Sequence, residues 1–295
     1  MEIYEYIPVR GERLFVGLHL PEPSPPSPLR RGSGQALPRE RGDRAQRGRG
    51  EGTHECAVIA SPIHEEKKSA HRPLVDLARA LAGCGVPCLR FDYVGTGDSS
   101  GEPAAVTLGS MTDDLRAAVE HAKRVSATEV VHLVGVRLGA DIAALLAEED
   151  PGIRSIVLVV PVVQGARYVR EMRIRSRIRG AITDSEGGGP GLAPGVAVDF
   201  DGHPVSDEMI GELAAHDLCS RSARLAASVL CLDVKARAEP TAGLRKLGEA
   251  LRSRGADVTV SAVVDEPFWN ALGPVEPRAF TGAVVGRLRQ GCVEQ

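Results

Sequence analysis

Residues 130–147 read as an apolar strand, the turn Gly135-Val136-Arg137-Leu138-Gly139 and a helix of small residues. A strand that enters a helix through so short a turn, with a glycine two residues to either side of its centre, belongs to folds that alternate strands and helices. The missing side chains leave room for a strained backbone that lifts the central residue into a pocket. In a Gly-x-Ser-x-Gly turn that residue attacks a carbonyl carbon. Arg137 cannot, because a guanidinium stays protonated and offers five donors but no lone pair. The same residues therefore predict an architecture and argue against the chemistry that usually accompanies it.

The rest of the chain keeps the alternation. Residues 2–9 and 14–20 alternate apolar and polar positions around Arg10-Gly11-Glu12, the pattern of an antiparallel hairpin. Strands are then expected at 56–61, 86–91, 153–160, 229–234 and 258–264, and helices at 67–83, 111–125, 244–251 and 279–288. Unbroken apolar runs are strands buried on both faces, so the fold class is α/β: a mostly parallel sheet with helices on both sides. Residues 92–101 form a glycine-rich loop, Asp92-Tyr93-Val94-Gly95-Thr96-Gly97-Asp98-Ser99-Ser100-Gly101. It lacks the lysine and helix start of a phosphate-binding loop, and Asp98 and Ser99 are expected to hydrogen-bond within it.

Two segments interrupt this order. Residues 21–55 are rich in Pro, Gly and Arg, with Leu29 and Leu37 as their only large apolar residues, which predicts a disordered insertion. About 65 residues separate the strands ending at Pro161 and starting at Val229, more than a crossover needs, which predicts an inserted cap. The cap opens with an Arg-rich helix, 165–179, whose apolar positions are 169, 172, 174 and 178. A Gly/Pro loop at 187–195, an extended piece at 196–200 and a helix at 207–218 capped by Ser206 follow. The expected divisions are a hairpin at 1–20, the insertion at 21–55, a core at 56–161, the cap at 162–227 and the remaining core at 228–290.

Composition narrows the function classes. A net charge of -3 gives no general pull toward nucleic acid or membrane surfaces, and only five of the 36 basic residues are lysine, so an Arg-rich stretch is weak evidence for a nucleic-acid site. No stretch approaches the roughly 20 apolar residues of a membrane span, and the acidic start differs from a signal peptide, so a cytoplasmic protein is expected. Most of the six cysteines fall in apolar runs and are expected to be buried thiols, Cys231 among them. No cofactor and no metal is expected; His64 beside Glu65 and Glu66 is read as part of a charged loop, because adjacent residues rarely converge on one ion.

The hairpin, the first core strand, the Phe91-Asp92-Tyr93-Val94-Gly95-Thr96-Gly97-Asp98-Ser99 loop, the glycine-framed turn, the cap and two further strands resemble the α/β-hydrolase superfamily over nearly all the chain outside 21–55. More narrowly, Glu65-Glu66-Lys67, Gly135-Val136-Arg137-Leu138-Gly139-Ala140 and Pro267-Phe268-Trp269 resemble the second hydrolase type associated with the exosortase A system, and serine-aminopeptidase-like sequences. The resemblance implies an α/β-hydrolase fold and a link to an exosortase or exopolysaccharide system, and arginine at the elbow recurs in that group.

The superfamily's catalytic triad does not carry over. Its histidine should follow strand 258–264, yet no histidine lies beyond residue 216, and Asp265-Glu266-Pro267-Phe268-Trp269-Asn270 offers no base that titrates near neutrality. Glu239, in Ala238-Glu239-Pro240, occupies the acid position, while Asp233 comes too early. What remains is a guanidinium at a helix N-terminus, where orphan N–H groups and the helix dipole favour an anion. The reading reached is a hydrolase-family protein without its triad that binds an anionic or acylated small molecule at the former active site, through Arg137, Leu138, Glu65, Glu66, Arg167 and Trp269. In a competing reading Glu65 or Glu66 pairs with Arg137 and plugs the cavity. The alternatives are a hydrolase or acyltransferase with relocated groups, Ser61 or Ser99 beside Glu65, and a non-catalytic protein partner binding through the cap or residues 21–55.

Overall fold

The computed structural model describes residues 1–22, 55–183, 196–200, 203–225, 227–271 and 273–293. Most of the 21–55 insertion and the 187–195 loop lie outside these residues. One eight-stranded sheet organises the chain. Its strands in chain order are β1 (Glu2–Val9), β2 (Glu12–His19), β3 (Glu55–Ala60), β4 (Cys88–Phe91), β5 (Val130–Val136), β6 (Ile153–Val159), β9 (Ser228–Lys235) and β10 (Asp257–Val264). They lie side by side in the order β1-β2-β4-β3-β5-β6-β9-β10. β2 runs antiparallel to β1 and β4, and every other pairing is parallel. The expected α/β-hydrolase class and mostly parallel sheet are thus observed.

Helices cover both faces because the central strands are apolar on both. On one face α1 (His64–Gly83) and α7 (Arg278–Val293) bury Leu74, Leu77, Leu81, Phe280 and Val284 against Ile59, Val134, Val157 and Leu232. On the other, α2 (Leu108–Ser126), α3 (Leu138–Glu149) and α6 (Ala242–Ser253) bury Leu115, Ile142 and Leu247 against Val58, Leu133 and Val229. α2 starts on a reciprocal cap between Thr107 and Ser110, which satisfies otherwise orphaned backbone donors.

Between β6 and β9 come α4 (Gly165–Thr183), a two-stranded ribbon of β7 (Val196–Phe200) and β8 (His203–Ser206), and α5 (Asp207–Ala215). Ser206 caps α5 by accepting the Met209 N–H over 3.1 Å. Three expectations change here. α5 ends at Ala215 rather than Leu218, because His216 leaves the helix with extended backbone. Ile174 is half exposed, so among the described side chains the apolar face of α4 is set by Tyr168, Val169 and Met172, and the side chain at position 178 lies outside them. Cys84 is exposed where a buried thiol was expected, since it stands just past the end of α1.

Candidate functional site

Parallel strands deliver their carboxyl ends to one edge, and the chain gathers there. β5 ends at Val136, α3 begins at Leu138, and Arg137 between them has φ 56° and ψ -123°. The flanking glycines make this possible. A Cβ on Gly135 would stand 2.4 Å from the Ala140 Cα, and one on Gly139 would stand 2.2 Å from the Ala60 carbonyl oxygen. No side chain fits at either position. His64, Val160 and Val163 also have positive φ, so four of the six non-glycine residues of this kind among the described residues sit at the elbow, at the first residue of α1 or in the segment that follows β6. Each costs on the order of 1–3 kcal/mol, and such strain concentrates at functional sites.

The Arg137 guanidinium is held from inside the chain. Its Nε donates to Glu66 Oε1 over 3.1 Å and one Nη donates to the Val160 carbonyl over 3.2 Å. It also lies 5.8 Å from the ring centroids of both Tyr168 and Trp269, within range of cation–π attraction. The Tyr168 hydroxyl reaches Glu66 Oε2 at 3.5 Å. Burial works against the charge on Arg137, but Glu66 and the neighbouring acidic groups outweigh it and raise the guanidinium pKa above its ordinary value. The Arg137 side chain is 12 % exposed and that of Glu66 4 %.

The residues expected at this site divide accordingly. Glu66 and Trp269 meet Arg137. Glu65 does not: α1 begins at His64 rather than Lys67, so both glutamates lie in its first turn, where the helix dipole favours acids, and Glu65 turns outward toward Lys68. Arg167 points to solvent and pairs with Glu171 over 2.9 Å, because α4 directs its neighbour Tyr168 inward. The Leu138 side chain is core, leaving only its backbone N–H, at the first position of α3, next to Arg137. Glu239 is exposed and pairs with Arg245, so the acid position does not reach Arg137.

Of the candidate nucleophiles, Ser99 is committed to structure: its hydroxyl donates to the Asp92 carbonyl and accepts the Phe15 N–H over 2.8 Å. Asp98 joins the loop through its backbone N–H, given to Asp92. Ser61, just past β3, is buried with a hydroxyl that finds no hydrogen-bond partner among the described residues. Burial pushes the Cys231 thiol up to about 12, which leaves it unreactive. Among the described residues no group of three or more His, Cys, Asp or Glu could hold a metal ion, and His64 instead faces the His203 ring at 5.1 Å.

Tyr168 was missed because it begins a stretch otherwise dominated by arginine; its aromatic body was the available signal. Two buried networks gave none. His216 Nε2 meets Asp141 Oδ1 at 2.8 Å while Asp141 Oδ2 accepts the Val162 N–H at 2.8 Å, which ties the segment after β6 to α3. Ser155, His132 and Glu55 form a serine–histidine–carboxylate chain, with 2.6 Å and 3.1 Å contacts. It lies on β6, β5 and β3 toward their amino ends, away from the elbow, with all three residues buried, so a substrate has no approach.

A profile described as Hydrolase_4, serine aminopeptidase S33, matches residues 69–264. Solved structures share the fold. Est1E from Butyrivibrio proteoclasticus superposes with a TM-score of 0.64 at 15% identity, over 99% of both chains. Proline iminopeptidase of Mycobacterium smegmatis gives 0.61 at 16%, over 99% of both chains, and mouse alpha/beta hydrolase domain-containing protein 10 gives 0.56 at 13%, again over 99% of both. No curated protein sequence matches this one. Among the described residues no helix is long and apolar enough to cross a membrane.

Proposed function

This chain belongs to the serine aminopeptidase S33 family of α/β hydrolases, and we propose that it is a member without the Ser-His-Asp triad, one that holds an acyl-bearing small molecule beneath a cap built from residues 162–227 without cleaving it. The observation that carries this reading is the incomplete use of the Arg137 guanidinium. Glu66 takes Nε and Val160 takes one Nη, and among the described residues nothing takes the other, although the side chain keeps some exposure. A full plug would engage the fork bidentately. The N–H groups at the start of α3 and the Ser61 hydroxyl supply further donors.

Glu66 also narrows the ligand. A second anion at contact distance would meet a repulsion of about 1–4 kcal/mol from its carboxylate. A neutral ester, thioester or amide carbonyl is a better match than a free acid. Cleavage would need a serine with a base in reach. The Ser61 hydroxyl has no such partner among the described residues, and Ser99 is occupied. Glu66 and Trp269, which meet at Arg137, come from the stretches that resemble exosortase-associated sequences, which supports a role beside that system.

Thermal unfolding of the full chain with a short-chain acyl anilide tests the reading. The expected result is a rise in Tm for the wild type that is absent in Arg137→Gln; no rise, or equal rises, would overturn it.

A further inference from the structure

A cavity of about 380 Å³ opens between the N-terminal hairpin and α1 and shares no residue with the Arg137 cluster. The sheet dictates its lining. Side chains alternate across a strand, so Phe15, Gly17 and His19 of β2 share a face with Arg90 of β4, which pairs with Gly17. Tyr4 of β1 pairs with the same glycine from the other side. Gly17 lets its two neighbours pack over it: a Cβ there would stand 3.1 Å from the Tyr4 ring and 3.4 Å from an Arg90 Nη.

The charges around this groove are unevenly matched. Arg72 pairs with Asp76, Arg79 with Glu2, and Lys67 with Asp92. Arg90 has no carboxylate within ion-pair distance among the described residues. Its Nε donates instead to Nε2 of His19 over 3.1 Å, so the ring must be neutral there, and burial together with the Arg90 charge lowers its pKa to about 4. The Nη groups of a half-buried, uncompensated guanidinium therefore border a cavity whose wall carries Tyr4 and Phe15, with near-parallel rings 7° apart and centroids at 6.1 Å. Asp98 lines the groove as well, which limits how much negative charge a ligand can bring.

We propose that this groove is a binding site for a small aryl carboxylate, with the carboxylate on Arg90 and the ring against Tyr4 and Phe15. One negative charge matches a cation left without a carboxylate among the described residues, and a flat ring matches the aromatic wall. A dianionic phosphate would meet Asp98.

Calorimetric titration of the full chain with benzoate, cyclohexanecarboxylate and phenyl phosphate tests the assignment. Benzoate is expected to bind in the roughly millimolar range of a single-charge contact and to bind more tightly than either alternative. Arg90→Gln should weaken it about tenfold or more, Tyr4→Ala a few-fold, and Arg137→Gln not at all. Tyr4 is half exposed, so its variant tests the site even if Arg90→Gln fails to fold. Absence of benzoate binding up to about 10 mM, binding indifferent to Tyr4→Ala and Arg90→Gln, loss confined to Arg137→Gln, or tighter binding of phenyl phosphate would each overturn it.

Discussion

Glu66 on α1 and Arg137 at the β5–α3 turn form a buried ion pair, 3.1 Å from Oε1 to Nε, across the two elements that frame the pocket of a Gly-x-Ser-x-Gly fold. Breaking such a pair costs more than forming it gains, because the orphaned charge stays out of water. Arg137→Met and Glu66→Gln should each lower the unfolding free energy by about 3–5 kcal/mol. The double variant should lose clearly less than the two combined, with a coupling of about 1–3 kcal/mol. Urea unfolding of the four proteins measures this, and additive losses would contradict the pairing.

Gly139→Ala should be among the most destabilising small substitutions in the chain. Its Cβ would meet the Ala60 carbonyl at 2.2 Å, and backbone cannot swing aside as a side chain can. Gly211→Ala, in α5 with open space around it, should instead be neutral or stabilising by up to about 1 kcal/mol. Similar thermal midpoints for the two variants would contradict the close approach.

Arg137→Ser should not create an esterase. The new hydroxyl would stand at the elbow, yet no histidine lies beyond residue 216 to receive its proton. The loss of Arg137 would also take an ion-pair partner from buried Glu66. A fluorophosphonate probe followed by mass spectrometry is expected to leave residue 137 unlabelled.

Stability should depend on pH through groups of opposite sign. Burial holds His64 down to about 3 and His19 to about 4, against an ordinary 6.5. Their native forms are neutral, so the unfolded chain binds more protons and stability falls as pH drops below 6.5, by about 1.4 kcal/mol per pH unit for each proton. Asp114 acts the other way: burial raises it from 3.8 to about 6 against the pull of Val94 and Arg10, so protonation between those values favours the native state. His64→Asn should flatten the loss between about pH 6 and 4, and Asp114→Asn should steepen it. Urea midpoints measured across that range check both slopes.

The elbow was legible in the sequence because it is encoded by absent side chains: Gly135 and Gly139 leave no geometric alternative. The apolar strands and the parallel sheet were legible for a related reason, since only burial on both faces suits such runs. Helix phase was less legible. One added turn at the start of α1 separates Glu66, which reaches Arg137, from Glu65, which faces solvent, and one position on α4 separates Tyr168 from Arg167. The groove beside Arg90 could not be read at all, because it depends on the register that sets Tyr4 and Arg90 on either side of Gly17.

The most direct measurement is the turnover of a p-nitrophenyl ester of a short acyl chain by the purified full-length protein, beside Arg137→Gln and Glu66→Gln. The proposed site, one that holds an acyl group without a nucleophile and a base, predicts release at the uncatalysed buffer rate in all three. Turnover by the wild type that disappears in either variant would place catalysis at Arg137 and contradict the account.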